Sequence, residues 1–273
     1  MEHRFLLSGF SDEASPNLTE QIALMQKLGV TYIEPRNVNG KNIVDLSDTE
    51  LREMAKELAD ADIKVSNIGS PVGKIPLDGD IEAECRRLDR ALTAAELLGA
   101  PTVRVFSFFE SQGRREEVFD RMATLMRVAE GRGASLLHEN EKGIYGDTDD
   151  RCLDLYRTLG LRAIFDPANF LQCGVRPEEA FSKLAPYVDY MHIKDAFLSQ
   201  MTVVPAGRGD GHIKEILASL APREMFLSLE PHLSVSPWME NVMAAERIDR
   251  ADGSDAAALW TLAHKSLVGI LAD

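Results

Sequence analysis

One unit recurs along this chain: an amphipathic segment that ends at a glycine, often as Leu-Gly, followed by a short β-rich run whose last residue is polar. Asn17 starts the first such helix with Glu20 in the capping-box position, Leu18, Ile22 and Met25 fall on one face, and Leu28-Gly29 ends it before VTYIE. Ser47 and Glu50 form a second capping box ahead of Leu51, Met54, Ala55 and Leu58 at helical spacing. Leu98-Gly99 then precedes TVRVF, Gly131 and Gly133 precede SLLHE, and Leu159-Gly160 precedes LRAIFD. Runs of this kind alternating with helices imply a parallel sheet, because a helix returns the chain to the starting edge.

The β-rich runs are FLLSGF, TYIEP, KVSNI, TVRVF, SLLHE, AIFD, DYMHIK and MFLSLE, eight in all. Eight βα units in a chain of 273 residues match a closed (β/α)₈ TIM barrel. An open doubly wound sheet would carry a phosphate-binding glycine loop after its first strand, and GFSDEAS is not one. There is no Pro/Ser-rich linker and no low-complexity tract, so residues 1–273 are expected to form a single domain, with 232–252 as a covering segment near the barrel mouth.

In such a barrel, functional groups sit where strands end at the carboxyl side, so a polar residue closing an apolar strand is the first candidate. Glu139, Asp166, His192 and Glu230 close the fifth to eighth strands. Any one of them is as readily an ordinary polar strand end, but four on successive strands converge at one rim. Three carboxylates gathered with an imidazole repel one another unless a cation lies among them. Oxygen-rich ligation with one imidazole suits a single divalent ion, Mn²⁺ first, then Mg²⁺ or Co²⁺, in an open shell; a closed Zn²⁺ site fits less well. Cys85, Cys152 and Cys173 form no CxxC pair and are expected to pack rather than ligate, as suits a reducing compartment.

LLHEN, FDPANF, YMHIKD and LSLEPH, with GFSDEAS near the start and VPAGRGDG after the seventh strand, resemble the xylose isomerase-like TIM-barrel superfamily in its sugar phosphate isomerase/epimerase branch. The resemblance implies Glu139, Asp166, His192 and Glu230 as metal ligands. It also implies Glu139 and Glu230 as the acid/base pair of a sugar isomerase or epimerase working through an enediolate. Many epimerases of the family carry His where this chain has Asn169, so the substrate is left open. Endonuclease IV, a three-metal relative, needs further His ligands that SNIGS and VRVFSF lack. A lyase or dehydratase acting on a keto-sugar or keto-inositol, and a catalytically silent sugar-binding protein, are the alternatives on the same scaffold.

Substrate contacts are expected from Glu34, Arg36, Lys74, Ser107, His138, Asn169, Lys194 and Arg208, with Trp238, Phe108 and Phe109 offering an apolar wall for a sugar ring. Arg104, flanked by Val103 and Val105, fits a buried ion pair, and Asp195 a supporting position behind Lys194. A net charge of −14 repels polyanions, so a small carbohydrate is expected and nucleic acid is not. No run is long enough to cross a bilayer and no leader pattern opens the chain, so a cytoplasmic protein is expected. A homo-oligomer is compatible with the sequence.

Overall fold

The computed structural model of the chain describes residues 4–199, 202–220, 222–233 and 255–272. Eight parallel strands run in the expected order: β1 (Arg4–Gly9), β2 (Tyr32–Ile33), β3 (Lys64–Val65), β4 (Thr102–Val105), β5 (Ser135–Glu139), β6 (Arg162–Phe165), β7 (Val188–Ile193) and β8 (Glu224–Leu229). Six form one sheet in the order β1-β8-β7-β6-β5-β4, and β2 pairs with β3. The Glu34 amide donates to the Gly9 carbonyl (3.1 Å), which joins β2 to β1. Ile68 joins β3 to β4, donating to Thr102 O and accepting from Arg104 N, both at 3.0 Å. The chain therefore folds as an α/β TIM barrel.

Around the strands lie α1 (Leu18–Leu28), α2 (Asp48–Asp60), α3 (Ile81–Leu98), α4 (Arg115–Ala129), α5 (Asp149–Leu159), α6 (Pro167–Gln172), α7 (Pro177–Leu184), α8 (Ile213–Ser219) and α9 (Asp255–Ala272). Gly29, Gly99 and Gly160 end α1, α3 and α5 in the left-handed region, at φ of 69°, 70° and 72°. That conformation carries no steric penalty for glycine, which is why the Leu-Gly signal stops each helix. The Ser47/Glu50 capping box is complete, whereas Glu20 turns its carboxylate to Ser15 Oγ (2.5 Å) and only the Asn17 half of the first cap forms. On α3, Leu88, Ala91, Leu92 and Ala95 form one face, each at most 1% exposed, and burying each leucine there contributes about 2 kcal/mol.

Two antiparallel hairpins, Asn37–Val38 with Lys41–Asn42 and Asp195–Phe197 with Thr202–Val204, stand outside the alternating pattern. Most of the covering segment expected at 232–252, and Trp238 with it, lies outside the described residues. Inside the barrel Leu137, Ile164 and Tyr190 pack with Phe226 as a small apolar plug, separate from the main core between strands and helices. Successive strand residues face opposite sides, so the residues two positions on, Glu139, Asp166, His192 and Ser228, continue the same inner rows above the plug.

Candidate metal centre

The inner rows of β5 to β8 end in Glu139, Asp166, His192 and, two residues past Ser228, Glu230. These four are at most 4% exposed and offer ligand atoms all within 4.8 Å of one another. His192 Nδ1 stands 3.1 Å from Glu139 Oε1 and 3.3 Å from Glu230 Oε2. Local structure fixes the neighbours. Asp166 caps α6 by accepting from the Asn169 amide (2.8 Å), and Pro167 opens that helix. Asn140 pairs reciprocally with the Asp166 backbone across β5 and β6, at 2.9 Å in each direction.

Hydrogen-bond logic at His192 shows whether this group fits a metal. Nε2 lies 3.2 Å from both oxygens of Glu34. Glu34 is held ionised: burial opposes this, but His192, Arg104 and Ser228 outweigh it. An ionised carboxylate only accepts, so Nε2 carries a hydrogen. Nδ1 then faces two more carboxylates, and a bare lone pair there would meet only negative charge. A proton or a metal ion on that nitrogen resolves the conflict, so the donor set suits a dication. Asn169 Oδ1 is also buried without a hydrogen-bond partner.

Protein cations meet part of the demand. Arg104 Nη1 reaches Glu139 Oε2 (2.9 Å), its Nε donates to Ser70 O and its Nη2 to Gly69 O, both at 3.2 Å, in the buried ion pair the strand pattern suggests. Lys194 Nζ lies 2.7 Å from Asp166 Oδ2 and 3.1 Å from Glu230 Oε2. Arg36 bridges Asp12, Glu13 and Glu230 at 3.0, 3.4 and 3.4 Å, above the Phe10 ring. Burial raises the Asp166 carboxyl, with Lys194 pulling against it. Burial would do the same to Glu139 and Glu230, but His192 and Arg104 hold the first down, and Lys194 and His192 the second.

The expected substrate contacts divide. Asn169 joins the cluster, its Nδ2 donating to Glu139 Oε1 (3.3 Å) and Asn140 O (2.9 Å). Lys194 and Arg36 sit against it, and Lys74 pairs with Glu141 (2.8 Å) over the Phe106 ring. Arg208 is exposed on a loop built around Asp195, whose carboxylate accepts from the amides of Ala196, Gly207, Gly209 and Gly211 at 2.8–3.0 Å. Glu34 lies beneath His192, fully buried, and so faces protein rather than the mouth.

His138 and Ser107 point away from the barrel axis. His138 contacts Ser107 Oγ (2.9 Å) and Tyr156 OH (3.2 Å), because a residue next to an inward Glu139 must face outward. Phe108 packs in the core between sheet and helices. Two partners were not singled out from sequence. Asn140 directly follows Glu139, and His232, two residues after Glu230, contacts Glu13 Oε1 (2.9 Å) and Glu230 Oε1 (3.4 Å). A cavity of about 620 Å³ opens at the opposite end of the strands, lined by Tyr32, Lys64, Pro101 and Phe226, remote from this cluster.

A polar, acid-rich cluster at the carboxyl ends of eight parallel strands places the chain among TIM barrels with a rim site. Residues 22–252 match the model of the xylose isomerase-like TIM barrel, and the chain belongs to that family. Similar solved structures include a probable 3-DHS dehydratase, AsbF, involved in petrobactin synthesis in Bacillus anthracis (17% identity, TM-score 0.73, 98% of this chain and 99% of that one). An IolI protein with a bound zinc atom (18%, 0.73, 97% and 98%) and an L-ribulose 3-epimerase (20%, 0.72, 100% and 95%) are also similar. Comparison with curated protein sequences gives no match.

Proposed function

We propose that this chain is an isomerase or epimerase of a sugar or keto-sugar, dependent on one divalent metal held by Glu139, Asp166, His192 and Glu230. The observation that carries the proposal is the placement of two carboxylates, Glu139 and Glu230, on either flank of His192 Nδ1. A bound dication, Mn²⁺ first and Mg²⁺ or Co²⁺ after it, supplies Lewis acidity that polarises a carbonyl and steadies the enediolate. Glu139, kept ionised by His192 and Arg104, removes the proton from the carbon beside the carbonyl. Glu230, three strands further round the barrel, delivers a proton to the other face, which inverts that carbon. If one of the two carboxylates acts alone, it carries the proton between neighbouring carbons and interconverts aldose and ketose. Arg36 and Lys194 orient Glu230, and Asn169 orients Glu139. The likeness to an L-ribulose 3-epimerase agrees with this assignment.

Metal-loaded protein incubated with a panel of ketopentoses and ketohexoses in D₂O is expected to place deuterium at a carbon next to the carbonyl, read by NMR. No exchange with any of them, in protein shown to hold Mn²⁺, would refute the assignment. Dehydration is the second reading, favoured by Lys194, an ammonium between Asp166 and Glu230 that can protonate a departing hydroxyl. It predicts an unsaturated product in place of an epimer.

A further inference from the structure

We propose that Glu34 is the positioning residue that decides which nitrogen of His192 faces the metal. The inference rests on the metal-ligand set proposed above and adds a residue that touches neither metal nor substrate. Glu34 is fully buried, and hydrogen-bond donors from β7, β8 and the segment just after β3 surround its carboxylate. Asn67 Nδ2 donates to Oε1 (2.6 Å), Tyr190 OH (2.9 Å) and Ser228 Oγ (2.5 Å) donate to Oε2, and His192 Nε2 stands 3.2 Å from both oxygens.

Each partner is itself fixed. Tyr190 OH is shared with Ser66 Oγ (2.8 Å), and Asn67 Oδ1 accepts from Thr102 Oγ1 (2.8 Å), so the acceptor cannot easily turn away from His192. Phe10 packs edge-on against the imidazole, ring centroids 5.2 Å apart. An acceptor-only group beneath the ring draws the ring hydrogen to Nε2 and presents Nδ1 to Glu139 and Glu230. Glutamine keeps the shape of Glu34 but removes its charge, and with its NH₂ turned to the hydroxyls of Tyr190 and Ser228 it leaves a single neutral oxygen for Asn67 and His192. A carboxylate behind a metal-bound imidazole typically controls affinity by 10–100-fold.

Co²⁺ titrated into metal-free protein, followed by its visible absorption, is the direct test, with thermal unfolding of both metal-free proteins recorded alongside. Glu34→Gln is expected to bind Co²⁺ 10–100-fold more weakly while remaining folded. Equal affinity in the two proteins overturns the role of Glu34, whereas a wild type that binds no Co²⁺ overturns the ligand set itself. If Glu34→Gln does not fold, ¹⁵N NMR of the wild type loaded with Zn²⁺ decides the matter. A hydrogen on His192 Nε2 with metal on Nδ1 supports the proposal, and the reverse arrangement refutes it.

Discussion

Replacing His138 with glutamine should flatten the acid limb of the stability curve. The imidazole is fully buried among Ser107, Tyr156 and Gly146, and burial pushes its pKa from 6.5 down to about 4, although Glu139 nearby pulls the other way. The unfolded chain therefore binds a proton near pH 6.5 that the folded protein refuses until about pH 4. Stability from the neutral ring is complete above pH 6.5 and is lost as pH falls toward 4. A gap of about 2.5 at about 1.36 kcal/mol per pH unit amounts to about 3 kcal/mol, of which about 2 kcal/mol is gone by pH 5. Urea unfolding of wild type and His138→Gln at half-unit steps from pH 7.5 to 4.5 isolates this group from the carboxylates that titrate in both. The variant starts lower, because it disturbs packing against Gly146, but the difference between the proteins should shrink by about 2 kcal/mol from pH 7 to 5. Parallel curves would show that His138 is not the buried neutral base placed here.

Glu139→Gln should lower solvent-deuterium exchange on a turned-over ketose by roughly 10²-fold or more, checked by NMR at saturating Mn²⁺. Mn²⁺ at about 100 times its dissociation constant should stabilise the protein by about 2.7 kcal/mol over a chelator-treated sample, read as a rise in Tm of several degrees. Asp195→Asn places an NH₂ against backbone donors of the loop carrying Arg208 and should cost about 2 kcal/mol in urea unfolding; unchanged stability would mean that the loop does not depend on that carboxylate.

The helix ends and strand order were legible because they are local. Leu-Gly stops a helix through one glycine's conformation, and a polar residue closing an apolar strand needs no knowledge of the partner strand. Facing was legible too, had the two-residue period been applied consistently: with Glu139 inward, His138 must point outward, and with Arg104 and Phe106 inward, so must Ser107. The depth of Glu34 was not legible. Its place beneath His192 depends on how far β2 is staggered against β7 and β8, a register that a single sequence does not carry. His232 and Asn140 escaped notice for a different reason, since each acts through a ligand beside it in sequence and not through a strand end of its own.

The electrostatic case for a metal also needs that wider view. The strand ends alone, three carboxylates and an imidazole, demand a dication, yet Arg104 and Lys194 are buried in the same cluster and meet part of that demand. With Glu34 included there are four buried carboxylates, and those two cations offset half of them. Arg36 and His232 are occupied chiefly with Asp12 and Glu13, and Glu13 and Glu230 carry the His232 pKa up to about 9 against burial. Two negative charges are left around His192. A proton on its Nδ1 removes one of them, whereas a dication bound to the neutral ring removes both. The same arithmetic gives the lysine and the arginine a common role: removing Arg104 or Lys194 adds a third uncompensated charge, which should tighten metal binding while weakening the metal-free fold.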